Sequence, residues 1–378
     1  MKYAVIGAGL IGSAAARHLA LMGHDTTLIG PGEPVDRATH DGPFASHYDE
    51  GRITRGLDPS PFWSRASRAS IARYRGIEDA TGIRFYSPVG CMMAGPSDSA
   101  QAAEMQAIAA RDGIPCQALT GDALLKKFPY FAFPDDTLSL YEDTDAGHIS
   151  PRALTRAQIA YALALGARHL PVQVTGLKDH ASGVTLTTTA GKLDFDRVLL
   201  ATGGFSRDLT DNALPLTVYG RTVTLFEVSE AETARLTGMP ALIYLDPPEN
   251  HPYLLPAIRY PDGKYYLKMG GPTDDPVLET EVQVTDWFRS SGDAAAGARI
   301  EEMLRARMPD LQILSTSALP CVTTYTPDER PALTALSPRV FTAIGGCGRG
   351  AKNSDELGRL GALLATGAPL PDWATTPD

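Results

Sequence analysis

The chain opens Lys2-Tyr3-Ala4-Val5-Ile6-Gly7-Ala8-Gly9-Leu10-Ile11-Gly12, and this stretch limits the possible folds more than any other. Lys2 to Ile6 is a short apolar run that stops at glycine, the pattern of a buried parallel strand. Gly7, Gly9 and Gly12 then form G-x-G-x-x-G. From Leu10 to Met22, residues Leu10, Ala14, Ala15 and Leu19 recur at helical spacing until Gly23, and Thr26 to Ile29 reads as a second strand. In such a unit the first glycine permits a tight turn, the second lets backbone approach a pyrophosphate, and the third lets helix and strand pack closely. The helix N-terminus adds free N–H groups and a positive dipole end. Strand, turn, helix and strand in this order make the glycines a dinucleotide site rather than a chance turn. The acidic residue that usually ends the second strand and holds the ribose hydroxyls is absent. Gly30 stands there, followed by Pro31, Gly32 and Glu33, which leaves Glu33, backbone or water to do that work.

A length of 378 residues exceeds one simple core and predicts two domains. A hydrophobic content of 43% is that of a soluble globular protein, and no apolar run approaches a membrane span. The first residues enter a strand without a charged leader or cleavage site, so a cytoplasmic location is expected. The net charge of −10 argues against a general nucleic-acid surface, but a local cationic pocket for a small anion remains compatible with it. Cys91, Cys116, Cys321 and Cys347 show no paired metal spacing; no metal is expected, and the thiols are expected reduced.

Further along, Pro31 to Gly42 reads as surface loop, and Pro61 to Gly82 as a helix whose arginines form a solvated face. Arg84 to Met93 is expected as strand, Ser97 to Asp112 as helix, and Gly147 to Pro151 as the entry to a helix capped by Ser150. Val172 to Leu177 and Gly183 to Thr189 suggest a hairpin. Phe195 to Leu200 is an apolar strand ending in Ala201-Thr202-Gly203-Gly204, a second place where backbone can approach a cofactor. Strands dominate from Leu216 to Met269, with a hairpin turn at Pro261-Asp262-Gly263-Lys264. Val284 to Met308 is expected as one helix. Leu319 to Thr326 and Val340 to Ile344 are strands, the latter breaking at Gly345-Gly346-Cys347-Gly348-Arg349-Gly350, and the last helix is expected from about Ser354 to Thr366. The pattern predicts an α/β (α+β) protein: a Rossmann-like nucleotide-binding domain (residues 1–82, 146–218 and 318–378) interrupted by a mostly antiparallel sheet domain (83–145 and 219–317) that carries substrate.

At the C-terminal glycine cluster the chain resembles the flavin-dependent amine oxidases around monomeric sarcosine oxidase and N-methyltryptophan oxidase, in the D-amino-acid-oxidase superfamily. The resemblance extends from the first glycines to Lys352 and rests on the order and spacing of several motifs. It implies FAD as cofactor, with Gly7, Gly9, Gly12, Glu33, Ser46, Arg52, Val172, Gly203, Gly346, Gly348, Gly350 and Lys352 around it. Arg52-Ile53-Thr54-Arg55 matches the family's paired arginines, and Gly348-Arg349-Gly350-Ala351-Lys352 its G-H-G-F-K. An arginine and a lysine at the positions of Arg55 and Lys352 clasp the substrate carboxylate in relatives. Pinning a carboxylate in this way aims the C–H beside nitrogen with geometric control. The competing structural reading makes Arg52 and Arg55 surface ion-pair partners of Asp49 and Glu50. Arg349 replaces the histidine that relatives often carry; it either favours a second acidic group on the substrate or pairs with an internal carboxylate.

Lys268, in Tyr265-Tyr266-Leu267-Lys268-Met269-Gly270-Gly271, matches the family lysine that promotes reaction with oxygen. The nearby family histidine is replaced by Gly271-Pro272. Cys321, in Cys321-Val322-Thr323-Thr324-Tyr325-Thr326-Pro327-Asp328, resembles the cysteine that forms a thioether to the flavin 8α-methyl, and a buried unreactive thiol is the alternative. Cys347 reads as a packing residue near the cofactor. His47 is a candidate hydrogen-bond partner of flavin or substrate, and Tyr253, Arg259 and Tyr260 are candidates for specificity. The implied activity is oxidation of the C–N bond of a secondary or N-methylated amino acid to an imine that hydrolyses, with molecular oxygen reduced to peroxide. A dehydrogenase with another acceptor and a non-catalytic flavin-carrying subunit are the alternatives. A monomer or small homo-oligomer is expected, with no nucleic-acid or membrane partner.

Overall fold

The structure, a computed structural model, describes residues 1–245, 251–271 and 273–376. Its first layer is a six-stranded sheet in the spatial order 332–335, 340–344, 197–200, 2–6, 25–29 and 168–170, all parallel except the edge strand Ala332–Ala335. Tyr3, Ala4, Val5 and Ile6 are all buried, as a strand covered on both faces requires. The helix Leu10–Leu21 follows directly, and its run Gly12-Ser13-Ala14-Ala15-Ala16 is wholly buried. Small side chains let a second helix approach. The closing helix Gly350–Thr366 crosses it at Gly358, where a Cβ would sit 2.6 Å from Ala14 Cβ. The two ends of the chain thus meet over the glycine-rich turn, and a buried polar knot pins them. Asp355 accepts from Arg17 at 2.5 Å and from Gln158 at 2.9 Å, with Arg73 and His18 beside it.

The second layer is an eight-stranded, mostly antiparallel sheet ordered 315–325, 217–228, 265–270, 253–259, 241–244, 91–96, 137–142 and 117–120. Its core joins Met92, Phe226, Leu242, Leu254 and Leu267 to Ile300 and Leu304 of the helix Ala294–Arg307. The long strands Thr217–Val228 and Ser315–Tyr325 pair with each other; each begins on one side of an expected domain boundary and ends on the other. Three-stranded sheets (174–180, 183–188, 191–195; and 52–54, 147–149, 86–87) complete the fold. Among the described residues no helix is long and apolar enough to cross a membrane.

Several expected elements divide. The helix expected over Val284–Met308 is two helices, Glu281–Arg289 and Ala294–Arg307. Gly292 takes φ +77° between them, and Asp293 begins the second by accepting from the Ala295 and Ala296 amides. The strand expected over Arg84–Met93 breaks at Gly90, whose φ of +83° and contact with the Tyr141 ring exclude a side chain. The last helix begins at Gly350, four residues before Ser354, so Lys352 lies in its first turn.

Candidate active site

A cleft of about 480 Å³ runs along the ends of the parallel strands. Gly7, Ala8 and Gly9 line it from one side, Thr202, Gly203 and Gly204 from another, and Gly346, Cys347, Gly348 and Gly350 from the chain's far end. At Gly7 and Gly12 the backbone itself excludes a side chain. Gly7 has φ +106°, and a Cβ there would lie 2.4 Å from Ala201 O; a Cβ on Gly12 would lie 1.8 Å from Gly7 O. Gly12 does not line the cleft; it serves helix–turn packing. No side chain caps the helix at Gly9, so its first amides remain available.

The adenosine end differs from expectation. A Cβ at residue 30 would stand 2.6 Å from Ala8 N, which is the steric reason no carboxylate occupies that position. Glu33 is not its substitute. Arg152 holds it through two hydrogen bonds of 2.7 and 2.8 Å, outside the cleft lining. Val172 also lies off the wall, and its successors Gln173, Val174 and Thr175 line it instead.

At the other end, Ser46, His47, Arg52 and Cys321 line the cleft. The Ser46 hydroxyl donates to Val322 O at 2.9 Å. His47 is 8% exposed; burial lowers its pKa to about 4, so it is neutral, and its Nδ1 has no partner. That orphan donor or acceptor suits a hydrogen bond to a bound group. Cys321 Sγ lies 3.5 Å from Arg52 Nη2.

Two carboxylates that the sequence reading left without a functional role organise the cations. Asp49 is bonded by Arg52, by Lys268 Nζ at 2.5 Å and by the Tyr260 hydroxyl at 2.8 Å. The Arg52–Asp49 pair of the structural reading therefore exists, mostly buried rather than on the surface, while Glu50 goes to Arg152 and Ser150. Lys268 is wholly buried, with Nζ also donating to Gly51 O at 2.8 Å. Burial and the Arg52 charge push its pKa down, and Asp49 is its ion-pair partner. Lys268 does not line the cleft; it sits behind Arg52, across one shared carboxylate. Tyr253 lies beneath its ammonium, 5.8 Å from ring centre to Nζ, whereas Arg259 turns to Gly263 O. Pro272, at the replaced histidine, lies outside the described residues.

The second carboxylate is Asp58. Lys352 Nζ donates to it at 2.7 Å, and Arg55 and Arg349 each approach within 3.6 Å. Arg349 also donates to Glu329 at 3.1 Å, so it pairs with internal carboxylates. Arg55 and Lys352 thus converge, but on a partner within the chain, and neither they nor Arg349 line the cleft. His148, given no role, is half-buried and neutral, its pKa lowered to about 4 by loss of hydration; His18, likewise given none, belongs to the Asp355 knot. No group of side chains suited to a metal occurs among the described residues.

A glycine turn under a helix N-terminus, glycine-rich backbone returning from the far end of the chain, and a buried cation cluster beside it define a dinucleotide-dependent oxidoreductase. The chain belongs to the FAD dependent oxidoreductase family DAO, whose model matches residues 2–364. It is 25% identical over 375 residues to N-methyl-L-tryptophan oxidase of Yersinia pestis (strain Pestoides F), covering 97% of this chain and 95% of that one. Its fold is that of NikD, an unusual amino acid oxidase essential for nikkomycin biosynthesis, in its open form (TM-score 0.78, 20% identity, 98% and 95% of the two chains). Glycine oxidase from Geobacillus kaustophilus is also similar (TM-score 0.74, 19% identity, 97% and 95%). FAD fits the cleft: Gly9 leaves open the space toward Ala45 that a Cβ would enter, the helix behind it has no side-chain cap, and the orphan His47 Nδ1 is available to the group.

If Cys321 carries the flavin, acid precipitation of the protein will leave the yellow colour in the pellet, and Cys321→Ala will move it to the supernatant. Colour in the supernatant from the unaltered protein would end the thioether reading and leave Cys321 as a wall residue.

Proposed function

We propose that this protein oxidises the C–N bond of an amino acid bearing a secondary or N-methylated amine, passing electrons to oxygen. The observation that carries this reading is the convergence of Arg55 and Lys352 on one carboxylate, Asp58, with Lys352 directly following Gly350 and Ala351 of the cleft wall. Bound FAD supplies the electron acceptor for the C–H bond beside nitrogen. The chain's residues do the rest. Arg55 and Lys352 bind and orient the carboxylate, with the guanidinium fixing direction and the ammonium adding charge. Arg52 and Lys268, joined through Asp49, place positive charge near the Cys321 end of the cleft, where negative charge develops as oxygen is reduced. Among the described residues lining the cleft, the carboxylates are Asp208 and Glu281, at the wall shared with Gly203 and Phe205, and none lies at the Arg52–Cys321 end. His47 is neutral but buried, and the amine itself can enter unprotonated. We place the protein in the cytoplasm, as a monomer or small homo-oligomer.

The test is peroxide release with a panel of N-methylated and cyclic amino acids. Peroxide with several of them is expected; a flavoprotein whose colour none of them bleaches would refute the substrate class. A second reading, a dehydrogenase using another acceptor, draws on the position of Lys268 behind Arg52 rather than on the cleft wall. It predicts slow reoxidation in air.

A further inference from the structure

Asp58 sits among three cations with none of its surface exposed. Its backbone belongs to the short connection between the strand Arg52–Thr54 and the helix Pro61–Thr81, and its Oδ1 accepts from the Ser60 amide at 3.3 Å. A carboxylate so enclosed and so tethered is not positioned to swing aside. We propose that Asp58 is a positioning residue, the internal counter-ion that makes Arg55 and Lys352 a working clasp for a substrate carboxylate. This rests on the carboxylate-clasp reading given above.

The electrostatics of Lys352 explain why it needs such a partner. Its side chain is buried and lies in the first turn of a helix, where the dipole disfavours a cation. Burial, Arg55 and Arg349 all act to discharge it, Asp58 opposes them, and the balance puts the Lys352 pKa at about 8. The other groups facing it do not replace Asp58. Glu142 and Cys91 come from the neighbouring sheet; the Glu142 carboxylate is taken up by the Gly56 and Leu57 amides at 2.9 Å, and burial raises both side chains toward their neutral forms. Tyr74 donates only to the Lys352 carbonyl, at 2.8 Å, and Glu329 lies on the far side of Arg349. Meanwhile Arg55 Nε is buried without a partner, so one donor of the clasp remains unspent. Asp58 therefore fixes and charges the pair without saturating it.

The experiment is a titration of the FAD-loaded protein with N-acetylglycine, which has a carboxylate but no oxidisable amine, followed through the flavin spectrum. N-acetylglycinamide is the uncharged control. Wild-type affinity is expected to hold below neutral pH and fall above about 8 as Lys352 loses its proton. Asp58→Asn is expected to bind about tenfold more weakly at pH 7.5, since each unit by which the Lys352 titration drops removes up to tenfold of the charged form. Its affinity should recover as the pH is lowered. Lys352→Arg, which stays charged, should make the Asp58→Asn variant insensitive to pH, and this pair keeps the test informative if Asp58→Asn alone loses its fold. A loss in Asp58→Asn that is the same at every pH, or an unmoved inflection, overturns the proposal. If Lys352→Met and Arg55→Gln bind N-acetylglycine as tightly as wild type, the clasp reading itself fails. If they lose binding while Asp58→Asn leaves the inflection in place, only the role given to Asp58 fails.

Discussion

Lys268→Met is expected to slow reoxidation of the reduced protein by oxygen by roughly two to three orders of magnitude, while anaerobic reduction by substrate stays within a few-fold of wild type. The size follows from where the cation sits. Lys268 is fixed at the middle of the strand Tyr265–Gly270, with Nζ held by Asp49 and Gly51 O, so its charge acts from behind Arg52 without reorganisation. Its low exposure removes the water that would otherwise screen it. Methionine matches the stem in length and removes the charge together with the hydrogen bonds to Asp49 and Gly51 O. The fold should tolerate the change, because Asp49 keeps Arg52 and the Tyr260 hydroxyl as partners. Stopped-flow mixing of reduced protein with oxygenated buffer checks the expectation. Equal rates in the variant and the wild type, both slow, would transfer support to the dehydrogenase reading; equal and fast rates would place oxygen activation on Arg52 or elsewhere.

The parts of this molecule legible in the sequence are those whose cause is local. Gly7 is required by its φ of +106° and Gly12 by its contact with Gly7 O, and Gly348 by its φ of +70° beside the Tyr325 hydroxyl. The break at Gly292-Asp293 was equally local, a glycine followed by a capping residue, and the continuous helical composition around it masked the signal. The ion-pair hubs are different. Lys268 meets Asp49 across 219 residues and Lys352 meets Asp58 across 294. In sequence each aspartate is one acidic residue in a loop with arginines nearby, the ordinary composition of a solvated surface. Only the fold reveals that these loops are buried and that the cations face inward.

The adenosine end shows how a locally correct observation can suggest the wrong substitute. The missing acidic residue at position 30 is real, and it invites a search nearby, where Glu33 is the obvious carboxylate. Arg152 lies on a helix capped by Ser150 and already claims Glu33, and it shares Glu50 as well. Nothing in the spacing of Gly30 and Glu33 encodes that competition. The wall at this end is built by Gln173 and Thr175, which follow the last parallel strand, Arg168–Leu170.

Asp355→Asn is expected to lower the melting temperature by about 5 °C, from a loss of about 3–5 kcal/mol typical of breaking a buried ion network. Asp355 is fully buried and joins three helices: Arg17 and His18 from the first, Arg73 from Pro61–Thr81 and Gln158 from Pro151–Ala164. Burial alone would raise its pKa, but His18, Arg17 and Arg73 hold it well below the ordinary carboxylate range. A depressed carboxyl contributes stability that is fully present above its unfolded pKa and is lost as pH falls through the folded one. The gap between wild type and variant should therefore be constant near neutrality and narrow only in strong acid. Most of the penalty comes from stranding cations: asparagine leaves Arg17, only 3% exposed, without a charge partner. Adding Arg17→Met to Asp355→Asn is accordingly expected to recover part of the loss, whereas independent contributions would simply add. Because Arg17 lies on the helix whose N-terminus faces the glycine turn, the single variant should also release FAD more readily than wild type during dialysis. Thermal melts by circular dichroism across pH, on the single and double variants, decide it: additive losses, or a gap that widens on acidification, would show that the knot is held by packing rather than by the Asp355 charge.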